Sequence, residues 1–247
     1  MPSLISTTTS KQDGSPAGAF VLFHFYFFMN HNFQNELKKE FQLERMILFS
    51  DAVFAIAITL LAIEIKVPDI AHDLVSDHLL AQKLAQLVPK FIGFFISFMV
   101  IAIYWVVHHR MFGYVINYNQ RLLWLNMFFL LAVVLMPFSS GFYSEYVIRQ
   151  MKIPVVIYIC NITFLGIMGL VIWNYIANPK RNLSEGITPE MSRYFRFRSL
   201  VPPTAFLLLG VVYLIRPDIA VYVPILIPLT LRLVQRYYFK PQLKKSN

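Results

Sequence analysis

Long apolar runs alternate with short polar connections along most of the chain. A bilayer core is crossed by about 20 predominantly apolar residues. Six stretches meet that length, roughly 46–66, 90–109, 122–143, 154–176, 199–216 and 218–236. Little more than Arg216-Pro217-Asp218 separates the last two. Pro202 and Pro203 suit the first turn of the fifth helix, and Pro224 and Pro228 predict a kink in the sixth. The pattern therefore predicts an all-α integral membrane protein with six transmembrane helices.

The remaining segments fit around that frame. The run AGAFVLFHFYFFM at 17–29 is too short to span a membrane and lacks the basic upstream flank of a secretory signal, which suits an interfacial segment. Met29 begins a polar, charged stretch leading into the first long helix, as a start codon would, so residues 1–28 stay outside the functional argument. The expected organisation is an N-terminal extension at 1–44, a six-helix transmembrane domain at 45–236 and a basic tail at 237–247. The 177–198 connection is too short for a soluble domain. Its end, Arg193 to Arg198, reads as a basic helix flank that would also suit anionic headgroups.

Composition agrees, with 57% hydrophobic and only 14% charged residues among 247. The net charge of +9 does not point to nucleic acid, because the Lys and Arg lie between apolar runs, where they set topology. Assigned to alternate sides of six spans, they divide 16 to 6, with both termini on the richer side. That side is expected to be the cytoplasm. The first connection, 67–89, then lies outside and carries Asp69, Asp73 and Asp77, either as a mildly acidic vestibule or as a solvated loop. The lone Cys160 excludes an intrachain disulfide.

Chemistry with a local signature is missing. There is no GxxxxGK[ST], HExxH, GxSxG or CxxC, and no TVGYG filter. His108 and His109 point about 100° apart on a helix and would not share one metal ion. No cofactor is expected.

The stretch RMILFSDAVFAIAITLLAIEI at 45–65 combines membrane-spanning length with a polar cluster at its start and a glutamate near its end. A carboxylate at membrane depth costs roughly 2.5–3.5 kcal/mol on insertion scales, so Asp51 calls for a reason. Advancing about 100° per residue from Asp51, Ile56, Leu60 and Ile63 fall near 140°, 180° and 120° in one stripe. Arg45 and Phe49 prolong it on one side, Val67 on the other, and Thr59 stands on its shoulder. Periodicity by itself reads such a stripe first as ordinary helix packing, and it also permits successive apolar rings of a symmetric pore. The wheel alone leaves both open.

Arg45, Phe49, Ser50 and Asp51, followed by AVFAIAITLLAIEIKVP at 52–68, resemble the signature of the transmembrane protein 175 family of potassium-permeable cation channels. YWVVHHRMF at 104–112 and LLWLNMFFLLAVVLMPF at 122–138 are also similar to family segments. Animal members carry two six-helix repeats per chain, whereas the single repeat here resembles the prokaryotic, tetrameric form. The resemblance implies a multi-pass protein of a prokaryotic plasma membrane, a homotetramer with membrane lipid and potassium ions as its partners. It also implies a pore lined by helix one. Ile56, Leu60 and Ile63 would be the constricting rings, and Thr59 a hydroxyl ring favouring potassium. Arg45, Phe49, Ser50 and Asp51 would belong to a polar network holding helix one in place.

Donors for Asp51 are expected at the matching ends of neighbouring helices. His108, His109, Trp105, Trp124 and Asn126 have the right depth, with His108 and Trp124 the chosen partners. Glu64, near the outer mouth, would either concentrate cations or pair with Lys66 or another neighbour. The alternative function is a proton-coupled secondary transporter using Asp51 or Glu64, which paired broken helices and internal symmetry would favour.

Overall fold

The computed structural model describes residues 16–70, 75–146, 151–217 and 226–239, and side chains for 38–70, 75–146, 151–217 and 229–237. The chain divides into two compact units, residues 1–42 and 43–247. In the first, the backbone is helical from Pro16 onward, including the segment at 17–29. The second holds every site residue discussed below.

Eight α-helices are described: α1 Pro16–Ile63, α2 Asp77–Gln86, α3 Val88–Phe112, α4 Gln120–Val134, α5 Met136–Tyr146, α6 Lys152–Ile176, α7 Pro189–Ile215 and α8 Leu226–Phe239. Five spans among the described residues are long and apolar enough to cross a membrane, and the stretch from Gln120 to Tyr146 counts as one of them. α8 has 14 residues, about 21 Å at 1.5 Å each, which is short of a roughly 30 Å core. Residues 218–225, where the expected sixth span begins and where Pro224 stands, lie outside the described residues.

Besides the first apolar helix, which is continuous from Pro16 instead of starting near residue 46, three features differ from the sequence expectation for identifiable reasons. The span at 122–143 is two helices, interrupted at Leu135. Pro137 stands just past the break and lacks the N–H that a continuous ladder would use. The fifth apolar helix starts ten residues early, at Pro189, because Thr188 caps it by accepting from the Met191 N–H at 3.2 Å. Pro202 and Pro203 are therefore interior, not first-turn, residues. The connection at 67–89 contains α2, capped by Ser76 and burying none of its side chains, so apolar periodicity gave no sign of it. Asp73 of that connection lies outside the described residues.

α6 forms the centre of the second unit, packing against α4, α5 and α7. Small residues let the helices approach, as they do where lipid supplies no hydrophobic drive. Gly93 and Ser97 of α3 face Ser140 and Ser144 of α5, with Ser97 Oγ 2.6 Å from Ser140 Oγ and 2.9 Å from the Tyr158 hydroxyl of α6. Gly166 of α6 is tighter still. A Cβ there would stand 2.8 Å from both Pro203 Cβ and the Tyr104 hydroxyl. Pro203 thus uses its ring as a packing surface, which explains why a helix interior keeps it.

At the end of the unit where α3 meets α4 and α6 meets α7, the two connections are bonded together. Ile116 N–H donates to Leu183 O at 3.0 Å and Glu185 N–H to Tyr114 O at 3.0 Å. Asn119 caps α4 and also accepts from the Tyr175 hydroxyl, whose ring lies under Arg181 at 3.8 Å. Asn182 adopts the left-handed conformation that turns the chain there.

Candidate functional site

From Leu43 onward, α1 has two faces. Leu43, Met46, Ser50, Phe54, Ala57 and Leu61 recur every three or four residues and are all buried. Phe54, Ala57 and Leu61 are each 1% exposed, whereas Ile56, Leu60 and Ile63 are 58%, 38% and 68% exposed. Phe49 and Val67 are also exposed. The stripe at Ile56, Leu60 and Ile63 is therefore not what packs α1 into its own chain. A stripe about 130° away does that. Thr59, on the exposed side, donates its hydroxyl hydrogen to Ile56 O at 2.8 Å and leaves its oxygen lone pairs outward.

The polar cluster at the start of the membrane stretch splits between the two faces. Ser50 is fully buried and donates to Met46 O at 2.8 Å in its own helix. Its oxygen accepts from Asn126 Nδ2 of α4 at 2.8 Å, and Asn126 Oδ1 lies 2.9 Å from His108 Nε2 of α3. An amide oxygen only accepts, so the hydrogen sits on His108 Nε2 and Nδ1 is bare. Nδ1 is buried without a partner. The imidazole is held by rings, stacked on Phe112 at 4.2 Å and Phe129 at 5.4 Å and tilted against Phe54 at 5.6 Å. One continuous chain of hydrogen bonds therefore runs from α3 through α4 to α1.

Asp51 is half-buried and accepts from Trp105 Nε1 of α3 at 2.9 Å. His108 and Trp124, the expected donors, are not its partners within the chain. His108 is spent on Asn126, and Trp124 is exposed with its ring beside Phe128. The reason is registry. Trp105 and His108 are three residues apart on one face of α3, so one turn serves two adjacent residues of α1, Trp105 bonding Asp51 directly and His108 reaching Ser50 through Asn126. A hydrogen bond to an ionised carboxylate contributes about 1.5–3 kcal/mol, the same order as the insertion cost of the Asp. Arg45, with Phe49, stands on the exposed side of α1.

Glu64 follows Ala57 and Leu61 on the packed side, just past the end of α1. Its carboxylate lies across Gly141 of α5, 2.5 Å from where a Cβ would stand. It rests there and makes no salt bridge with Lys66. The nearby ion pair is Lys90 with Glu145 at 2.6 Å. Among the described residues no group of three His, Cys, Asp or Glu is placed to hold a metal ion.

The hub of the network, Asn126, is one the sequence offered only as one donor among five. Its signal is an amide seven residues into an otherwise apolar helix, where an unsatisfied polar group is costly.

These features define a multi-pass, all-helical membrane protein whose first apolar helix is anchored on one face by polar bonds. The model of the family described as the endosomal/lysosomal potassium channel TMEM175 matches residues 45–137, which contain the whole network. A potassium channel of Chamaesiphon minutus is 34% identical over 151 residues, 61% of this chain and 73% of the relative. Another, of Streptomyces collinus, is 30% identical over 152 residues, covering 61% and 72%. The crystal structure of a lysosomal potassium-selective channel TMEM175 homolog from Chamaesiphon minutus matches with a TM-score of 0.65 at 28% identity, over 78% of this chain and 97% of that one. The chain belongs to the TMEM175 family.

Proposed function

We propose that the protein is a passive, potassium-permeable cation channel of the plasma membrane, assembled from four copies with α1 of each around a central pore. The observation that carries this reading is the division of α1. One stripe locks into its own subunit, and Ile56, Leu60 and Ile63 stay far more exposed than that stripe. Around a symmetry axis these side chains form stacked apolar rings that gate by narrowing and dewetting. Thr59 adds a ring of hydroxyl oxygens beside the constriction and favours potassium. Glu64, off the pore stripe and beside Gly141 of α5, adds negative charge near the outer end of α1 that concentrates cations by its field.

Ser50, Asp51, Trp105, His108 and Asn126 form the network that keeps α1 at the axis, while Arg45, Phe49 and Trp124, on exposed faces of their own subunit, hold α1 through contacts with neighbouring subunits. Residues 218–236 complete a sixth crossing, which returns the basic tail at 237–247 to the cytoplasm, where the extension at 1–44 also lies. The names of the two relatives above support potassium as the permeant ion.

The test is potassium-driven flux in proteoliposomes holding the purified tetramer, with sodium and an impermeant cation for comparison. Leu60→Ala is expected to raise flux by widening and wetting a ring, and Thr59→Ala to weaken the preference for potassium. Unchanged current in a correctly assembled Leu60→Ala tetramer would contradict the assigned pore face.

A further inference from the structure

Away from α1, a cavity of about 60 Å³ opens among α3, α4, α6, α7 and α8. That is several times the roughly 10–15 Å³ one water needs by the same measure. Ile103, Val107, Phe129, Phe195, Pro202 and Leu231 make its walls apolar, with Gly166 admitting close approach and Gly169 adding no side chain. Its polar groups are few, chiefly the Tyr104 hydroxyl, the Arg198 guanidinium and Ser199. The Tyr104 hydroxyl is buried and has no hydrogen-bond partner, a costly state for a donor. Arg198 donates Nη1 to the Tyr194 hydroxyl at 3.0 Å, which holds the guanidinium at the rim and leaves further donors on a fork suited to phosphate.

A single water bonded to these polar groups leaves most of the apolar wall of a space several waters wide uncovered. An occupant with an apolar body, an acceptor oxygen and an anionic head matches all three features. We propose that the cavity is a binding site for one acyl chain of an anionic phospholipid. The phosphate rests on Arg198, and an ester carbonyl accepts from Tyr104. Arg198 opens the apolar part of α7, the depth at which a headgroup meets the hydrocarbon, and a long cationic side chain there reaches outward to it. The Tyr104 hydroxyl and Pro203 meet at the same point of Gly166, and Pro203 is five residues, about 7.5 Å, further along α7 than Arg198, as an ester lies deeper than its phosphate.

The experiment is native mass spectrometry of the delipidated full-length protein, titrated with phosphatidylglycerol and with phosphatidylcholine of the same chains. Dodecyl phosphate and inorganic phosphate form separate arms. The wild type should retain phosphatidylglycerol preferentially. Arg198→Gln should weaken it about tenfold, to the level of phosphatidylcholine. Tyr104→Phe should weaken both lipids severalfold and leave the preference intact. Val107→Phe, which fills the cavity and leaves the charge, should expel the lipid even if Arg198→Gln proves unstable.

The control is Arg196→Gln on the same basic segment, which should change neither lipid. An equal loss there would overturn the site in favour of a diffuse basic flank. Equal retention of both lipids by the wild type, or indifference to Val107→Phe, would overturn it as well. Binding of inorganic phosphate or dodecyl phosphate as tight as that of phosphatidylglycerol would make this an anion or detergent-like site instead.

Discussion

α6 and α1 are both long apolar helices, yet 61% of the apolar window of α6 is buried inside the chain and only 28% of that of α1. α6 packs against helices on several sides, so most of its side chains must fit a neighbour, and its Gly166 stands where Pro203 and Tyr104 press close. α1 commits a single stripe to the fold. An apolar helix in a membrane has no need to hide its other face from lipid, so burial alone does not dictate which face packs. What distinguishes the packed face of α1 is chemistry: Ser50 reaches Asn126 and His108, and Asp51 next to it reaches Trp105.

The sharpest way to break this contrast is to overfill α6. Gly166→Val should destabilise the protein by about 3 kcal/mol, since neither the Pro203 ring nor the Tyr104 ring can retreat far. Thermal unfolding in detergent reads this directly, and a loss below about 0.5 kcal/mol would show that α7 simply swings away.

The second test lies within α1. Leu61→Ala should cost about 2 kcal/mol, mostly as a cavity term because lipid replaces water in the unfolded reference. Leu60→Ala, one residue away, should stay within about 0.5 kcal/mol while it alters flux. Equal losses from the two would mean that both faces of α1 are packed.

Asn126→Ala comes next, at about 1–2 kcal/mol, because it strands the His108 Nε2–H in a ring-lined site. Combining it with Ser50→Ala should add less than the sum of the two, since both remove the same bond. Full additivity would dissolve the network into independent contacts. The smallest effect should be Ser97→Ala, about 0.6 kcal/mol, which is typical of an interhelical hydrogen bond in lipid. The same unfolding assay would contradict the small-residue contact of α3 with α5 if the change were stabilising.

Much of this architecture follows from the sequence itself. Apolar run length, set by bilayer thickness, placed five spans to within a few residues at most ends. It failed at Pro189, where Thr188 extends α7 through a charged segment that hydropathy discounts, and at Leu135, where Pro137 divides one apolar run. Periodicity isolated Ile56, Leu60 and Ile63 as a stripe, because a 3.6-residue repeat is written into residue spacing.

Which stripe would be covered, and which donor would meet Asp51, was decided only by the tertiary structure. Hydrogen bonding in a low-dielectric interior depends on the registry of helices far apart in sequence, and a displacement of one turn exchanges Trp105 for His109. The cavity beside Tyr104 has the same origin, since its walls come from five helices. No single stretch of sequence carries the distance at which α7 crosses Gly166.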